Sequence, residues 1–88
     1  MSDPFDTLKQ RLQELDWPSV YYFKFICPSD EETVAKVTAL FSADTDLNIR
    51  PSKKGNYMSI SAKEVMVTPE AVINIYEKSA KIKGVISL

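Results

Sequence analysis

The stretch of sequence that decides the fold is LNIRPSKKGNYMSISAK, which runs from Leu47 to Lys63. Apolar residues occupy every second position in both of its arms, which is the period of a β-strand with one buried face. The polar residues 52–56 separate the arms and include Gly55, which supplies the positive backbone angle of a tight turn. Because Pro51 cannot donate a backbone hydrogen bond, the first arm is predicted to be an edge strand.

The segments on either side of this hairpin predict the remaining core elements. Residues 19–27 are rich in aromatic and β-branched residues and are predicted to form a central strand. Ser29 begins a capping-box pattern with Glu32, which predicts a helix start, and Thr68 precedes a second helix. Residues 85–88 form a short last strand, so the predicted element order is βαββαβ. Glu64 interrupts the alternation of the third strand and predicts a bulge.

An additional helix is predicted before this core. Asp3 and Pro4 supply a cap and a first-turn proline, and Trp17, which precedes a proline, ends the segment. The apolar stripe of this helix recurs at helical spacing and consists of Phe5, Leu8, Leu12 and Leu15. We expect the stripe to pack on the protein's own core.

The predicted fold class is α+β, a ferredoxin-like βαββαβ sandwich with both core helices on one face of an antiparallel sheet. The predicted strand order is 4-1-3-2, which places the strand with Pro51 at an edge. Residues 1–88 form a single domain, in which 1–18 are the N-terminal helix and linker and 19–88 are the core.

The composition excludes most enzyme chemistry. The 88 residues include no histidine and a single cysteine, Cys27, so Ser-His and Cys-His nucleophile pairs and imidazole metal ligands are absent. Cys27 is expected to be a buried structural thiol. We expect no enzymatic activity, no catalytic residue, no cofactor and no metal site.

The charge balance bears on the partners. The chain has eleven Lys and Arg residues and twelve Asp and Glu residues, which gives a formal net charge of -1. There is therefore no general attraction to phosphate backbones, and nucleic acid is disfavoured as a partner. The longest apolar run is far short of the about 20 residues that span a bilayer. With no signal segment visible, we expect a cytoplasmic protein that does not bind membranes.

Residues 50–61 resemble the signature hairpin of the YbeD-like family, small bacterial proteins of unassigned function. The resemblance extends to residues 76–77, 81–82 and the last strand, and back to residues 23–24. It implies a ferredoxin-like fold similar to the ACT domains that bind amino acids and regulate metabolic enzymes, and it carries no catalytic residue. ACT-type sites favour glycine where the first strand meets the first helix, whereas this chain has Cys27, Pro28 and Ser29 there.

One candidate site is the hairpin tip, which the predicted topology places beside a helix N-terminus. Lysines, a glycine, an amide and a hydroxyl near free helix N–H groups are the ingredients of a site for phosphate or carboxylate. The simpler interpretation is a tight turn with solvated lysines. The candidate ligand-binding residues are Ser52, Lys53, Lys54, Gly55 and Asn56.

A second candidate is the sheet face opposite the two core helices, which is predicted to be aromatic, hydroxyl-rich and basic. An RNA-recognition domain binds single-stranded RNA on the corresponding face by stacking bases on aromatic residues. In this chain the residues after Lys54 and Gly55 do not match the RNA-binding motif of that domain. The alternative is that the N-terminal helix or a second copy covers the face. The candidate interaction residues are Tyr22, Lys24, Tyr57, Ser59, Ser61 and Lys63.

These observations lead to three functional hypotheses. The first is a non-enzymatic regulatory or protein-interaction module, with a protein partner or self-association through the sheet face or the hairpin tip. The second is a sensor of a small carboxylate or phosphate ligand, of ACT-like type. The third is an accessory subunit of an enzyme.

Overall fold

The structure is a computed structural model that describes residues 5–88. The predicted start of the first helix at Asp3 and Pro4 lies outside the described residues. The elements are α1 (Asp6–Gln13), β1 (Ser19–Pro28), α2 (Glu31–Thr38), β2 (Asp46–Pro51), β3 (Tyr57–Met66), α3 (Pro69–Ala80) and β4 (Ile86–Ser87).

The four strands form one antiparallel sheet in the order β2-β3-β1-β4, a ferredoxin-like arrangement. The predicted order 4-1-3-2 is confirmed, and Pro51 lies on an edge strand as its missing N–H requires. The central pair β1 and β3 is in register from Ser19 opposite Met66 to Pro28 opposite Tyr57. This long uninterrupted pairing makes the two strands the frame of the domain.

The bulge predicted at Glu64 is wrong, because the register between β1 and β3 passes through this residue without a break. Glu64 lies on the helix side of the sheet, where its carboxylate accepts hydrogen bonds from the hydroxyls of Ser42 (3.3 Å) and Thr45 (3.0 Å). A polar residue can therefore occupy this position without a change of strand geometry, since the loop between α2 and β2 supplies its donors.

The hydrophobic core lies between one face of the sheet and the helices. Phe23 and Phe25 of β1 are almost completely buried, and the Phe23 ring centroid is 5.4 Å from those of both Phe41 and Tyr76. Aromatic pairs at this separation contribute about 0.5–1.5 kcal/mol each beyond the burial of their surface. The other buried hydrophobic residues are Leu12, Cys27, Val37, Ile60, Ala62, Met66, Val72, Ile73 and Ile75.

Helix α1 packs against α3 on the helix side of the sheet. Leu12 is buried, and Phe5 and Leu8 pack against the core, so three residues of the predicted stripe are confirmed. The prediction that Leu15 belongs to the packed stripe is wrong, because the helix ends at Gln13 and the Leu15 side chain is 49% exposed. The helix end is held by the Trp17 indole N–H, which donates to the Leu12 carbonyl over 2.7 Å.

The capping box predicted at Ser29 is also wrong. Asp30 is the N-cap of α2, and its carboxylate accepts hydrogen bonds from both the backbone N–H and the hydroxyl of Thr33, each over 2.8 Å. These two hydrogen bonds, the backbone one foremost, lower the pKa of Asp30. Ser29 instead belongs to the strand side, where its N–H donates to the Asn56 carbonyl over 3.1 Å.

The cap assignment predicts that Asp30→Ala lowers the thermal unfolding midpoint at neutral pH by several degrees, because a helix N–H loses its acceptor. Since the pKa of Asp30 is lowered in the folded state, its contribution is present above the unfolded pKa of about 3.9 and is lost as the pH falls through the folded pKa. The difference in unfolding midpoint between the wild type and Asp30→Ala should therefore disappear in acid. Ser29→Ala is the control, and an equal loss in that variant would favour the capping box.

A hydrogen bond between two tyrosines connects β1 to α3 at the side of the core. The hydroxyls of Tyr21 and Tyr76 are 3.1 Å apart, and either can donate. Burial raises the pKa of Tyr76, and the hydrogen bond with Tyr21 raises it further. The folded protein therefore holds this phenol proton more tightly than the unfolded chain does.

We predict that Tyr76 makes the folded protein lose stability in alkali. Below the unfolded tyrosine pKa of about 10 the phenol is neutral in both states, and above it only the unfolded chain loses the proton. The free energy of unfolding should thus fall as the pH rises beyond about 10. Urea unfolding of Tyr76→Phe should show a flatter decline than the wild type, whereas the exposed Tyr57→Phe control should not; parallel curves for all three proteins would contradict the assignment.

Candidate interaction face

The open face is the side of the sheet that points away from α2 and α3. The structure places on it all six of the predicted interaction residues, namely Tyr22, Lys24, Tyr57, Ser59, Ser61 and Lys63. They share a face because the two central strands are in continuous register, and on each strand the residues between them point to the opposite side of the sheet, toward the helices. Tyr22 is 68% exposed and Tyr57 is 51% exposed.

One row across the open face consists of Tyr22, Lys63 and Asp46. The three residues are register partners on β1, β3 and β2. The Lys63 ammonium lies 5.8 Å from the centroid of the Tyr22 ring, a cation–π distance. This row thus places an aromatic ring, a cation and a carboxylate side by side.

The next two rows are entirely polar on the two strands β3 and β2. Ser61 lies opposite both Lys24 and Asn48, and Ser59 lies opposite Arg50. Asn48 and Arg50 also belong to the open face, although they are not among the predicted interaction residues. Their alternation with the apolar positions of β2 was a sufficient signal, since the predicted strand order already placed β2 next to β3.

Apolar side chains border these polar rows. Val20 and Val65 are register partners at one end, and Ile86 of β4 lies opposite Ile26. The strand pairing continues beyond β4 through the Leu88 N–H, which donates to the Lys24 carbonyl over 2.9 Å. The hypothesis that the N-terminal helix covers the face is wrong for the described residues, because α1 packs against α3 on the opposite side.

The hairpin tip, Ser52 to Asn56, is exposed at the end of β2 and β3. The Gly55 N–H donates to the Ser52 carbonyl over 3.0 Å, and Gly55 has a φ of 75°, which only glycine adopts without strain. Ser52 also receives the Tyr57 N–H on its hydroxyl over 3.2 Å. Ser52 and the Gly55 N–H therefore have a role in the turn itself.

The tip lies beside the start of α2, as the Ser29 to Asn56 hydrogen bond shows. Within residues 5–88 neither Lys53 nor Lys54 forms an ion pair. The helix N-terminus next to them is occupied by the Asp30 carboxylate. The free helix N–H groups expected from the sequence are therefore reduced in number, and a negative charge lies where an anion would bind.

Cys27 is fully buried, which confirms the expected structural thiol. Burial raises its pKa, and the nearby charge of Asp30 adds to this effect. Both causes disfavour the thiolate, which is the reactive form. Among the described residues, no group of three or more His, Cys, Asp and Glu side chains could hold a metal ion.

We therefore predict that Cys27 reacts with a thiol reagent such as dithionitrobenzoate only when the domain opens. Modification of the native protein at neutral pH should be slower by orders of magnitude than that of the urea-unfolded chain. The Cys27→Ser/Ile26→Cys variant, with the thiol on the open face, is the control and should react quickly. Equally fast modification of the native wild type would contradict the burial.

No helix within residues 5–88 combines the length and the apolar character needed to cross a membrane. The antiparallel sheet, its strand order and the three helices define a small α+β domain of ferredoxin-like arrangement. The chain belongs to the family described as protein of unknown function (DUF493), which matches residues 13–88. This family includes YbeD, so the resemblance seen in the hairpin is confirmed. No curated protein and no solved structure matches the chain.

Proposed function

We propose that this chain is a non-enzymatic module that binds another protein through the open face. The observation that carries the proposal is that no described helix covers this face, although its apolar side chains are well exposed. The exposed fractions are 68% for Tyr22, 62% for Val65, 57% for Ile86 and 64% for Leu88. Aromatic and apolar side chains that adjoin polar groups are typical of protein interfaces.

The proposal extends to a regulatory role in the cytoplasm and to an ACT-like βαββαβ fold. It is supported by the ferredoxin-like strand order and by the order of the elements after α1. The regulatory part rests on the analogy with ACT domains. A second copy of the chain or the catalytic subunit of an enzyme would each qualify as the partner.

A sensor of small anions is the second candidate function. Two exposed lysines, Lys53 and Lys54, adjoin the start of α2 and have no ion-pair partner within residues 5–88. They favour a carboxylate or phosphate ligand at the tip formed by Ser52, Lys53, Lys54, Gly55 and Asn56. The carboxylate of Asp30 opposes it, so we place this function second.

Site-specific photo-crosslinking in the native cell tests the interaction proposal. The photoreactive residue p-benzoylphenylalanine at position 22, and separately at position 65, should give the same discrete product, because both positions lie on the open face. The product's mass distinguishes a second copy, at twice the chain mass, from a different protein. Both side chains are exposed, so each substitution should change the free energy of unfolding by no more than about 0.5 kcal/mol.

The matched control carries the same photoreactive residue at Leu15, which is 49% exposed but lies after α1 and outside the sheet. This control should give no product. The proposal would be contradicted if the two face positions gave none either, or if all three positions gave the same set of products.

A further inference from the structure

The open face contains a cavity of about 270 Å³ that is lined by polar residues alone. The residues that line it are Lys24, Asn48, Arg50, Ser59 and Ser61. Two of them are cations, none is a carboxylate, and the amide and the two hydroxyls supply further hydrogen-bond donors. This composition favours a negatively charged ligand, although the whole chain carries a formal charge of -1.

Three strands bring these side chains together. Ser59 and Ser61 lie on β3, with Lys24 on β1 on one side and Arg50 on β2 on the other. Since neighbouring strands are about 4.8 Å apart, the two cations rise from strands about 10 Å apart and flank the hydroxyls. This spacing lets two long side chains converge on one anion above the central strand.

No carboxylate is among the residues that line the cavity. None of the five lining side chains forms an ion pair or a hydrogen bond with another residue of 5–88. Asp46 lines the adjoining cavity, which shares Lys24, Asn48 and Ser61 with this one. It forms no ion pair with Lys24, and its register partner is Lys63, in the next row. A bound anion would interact favourably with the positive charges of both Lys24 and Arg50.

We propose that this cavity binds a small anion through a carboxylate or phosphate group. The planar guanidinium of Arg50 can donate two parallel hydrogen bonds to such a group, while Lys24 supplies a second charge. Ser59, Ser61 and Asn48 can donate to the remaining oxygens. The volume lies just below the range of about 300–1,000 Å³ of most small-molecule sites, which suits a ligand no larger than inorganic phosphate or a short dicarboxylate.

The site is distinct from the hairpin tip, and it does not depend on the proposed protein partner. At the tip the Asp30 carboxylate already occupies the helix N-terminus, whereas the cavity contains no acid. The two locations therefore make opposite predictions for which pair of cations an anion needs.

The test is a titration of the ¹⁵N-labelled protein, followed by NMR, with inorganic phosphate and separately with succinate. Sodium chloride keeps the ionic strength constant, so that screening does not change. At least one anion should cause saturable shifts at residues 24, 48, 50, 59 and 61. Lys24→Met/Arg50→Met should weaken this binding by about tenfold or more, since two charge-assisted contacts are lost.

The control is Lys53→Met/Lys54→Met, which removes the same net charge from the tip and should retain the affinity. Saturation by phosphate alone, by succinate alone or by both supports the site and identifies the group it prefers. If the first variant unfolds, Arg50→Gln, which alters only the edge strand, replaces it. The proposal is overturned if neither anion saturates, if the shifts centre on the tip, or if both double variants weaken binding equally.

Discussion

The structure depends on the division of β1 into two faces. Phe23 and Phe25 point to one side, where they are almost completely buried, while Tyr22 and Lys24 point to the other side and are exposed. The side chains of adjacent residues cannot exchange sides, because a shift of register by one position would bury the lysine and expose the phenylalanines. The same strand thereby organises both the core and the open face.

Continuous pairing transfers this division to the neighbouring strands. The ladder between β1 and β3 has no bulge, so each open-face residue of β1 has an open-face partner on β3, and β2 extends the rows to Arg50 and Asn48. The consequence is a surface of ordered rows: a cation–π row, then a polar centre, then apolar borders. The proposed partner surface and the proposed anion site are two aspects of this one arrangement.

The sequence predicted most of the frame, because periodicity and proline placement are local signals. Alternation identified the hairpin, and Pro51 correctly placed β2 at an edge. The N-cap predicted at Ser29 was wrong by one residue. Asp30 is an equally good N-cap residue, and its carboxylate is the one that accepts the hydrogen bond from the Thr33 N–H. The six predicted interaction residues share a face, because strand alternation fixes the side of each one. Which residues of β2 lie beside them depends on the register between β2 and β3, which the alternation does not give.

By itself the sequence determined the type and order of the elements, the two faces of the central strands and the absence of histidine chemistry. Only the tertiary structure decided where α1 packs, which polar groups lie opposite one another across three strands, and that Asp30 rather than Ser29 caps α2. The physical reason is the separation along the chain of the residues that interact. Patterns of hydrophobicity and capping act between residues a few positions apart. The packing of α1, and the register that brings Lys24 and Arg50 to one cavity, depend on contacts between distant segments, which no local pattern encodes.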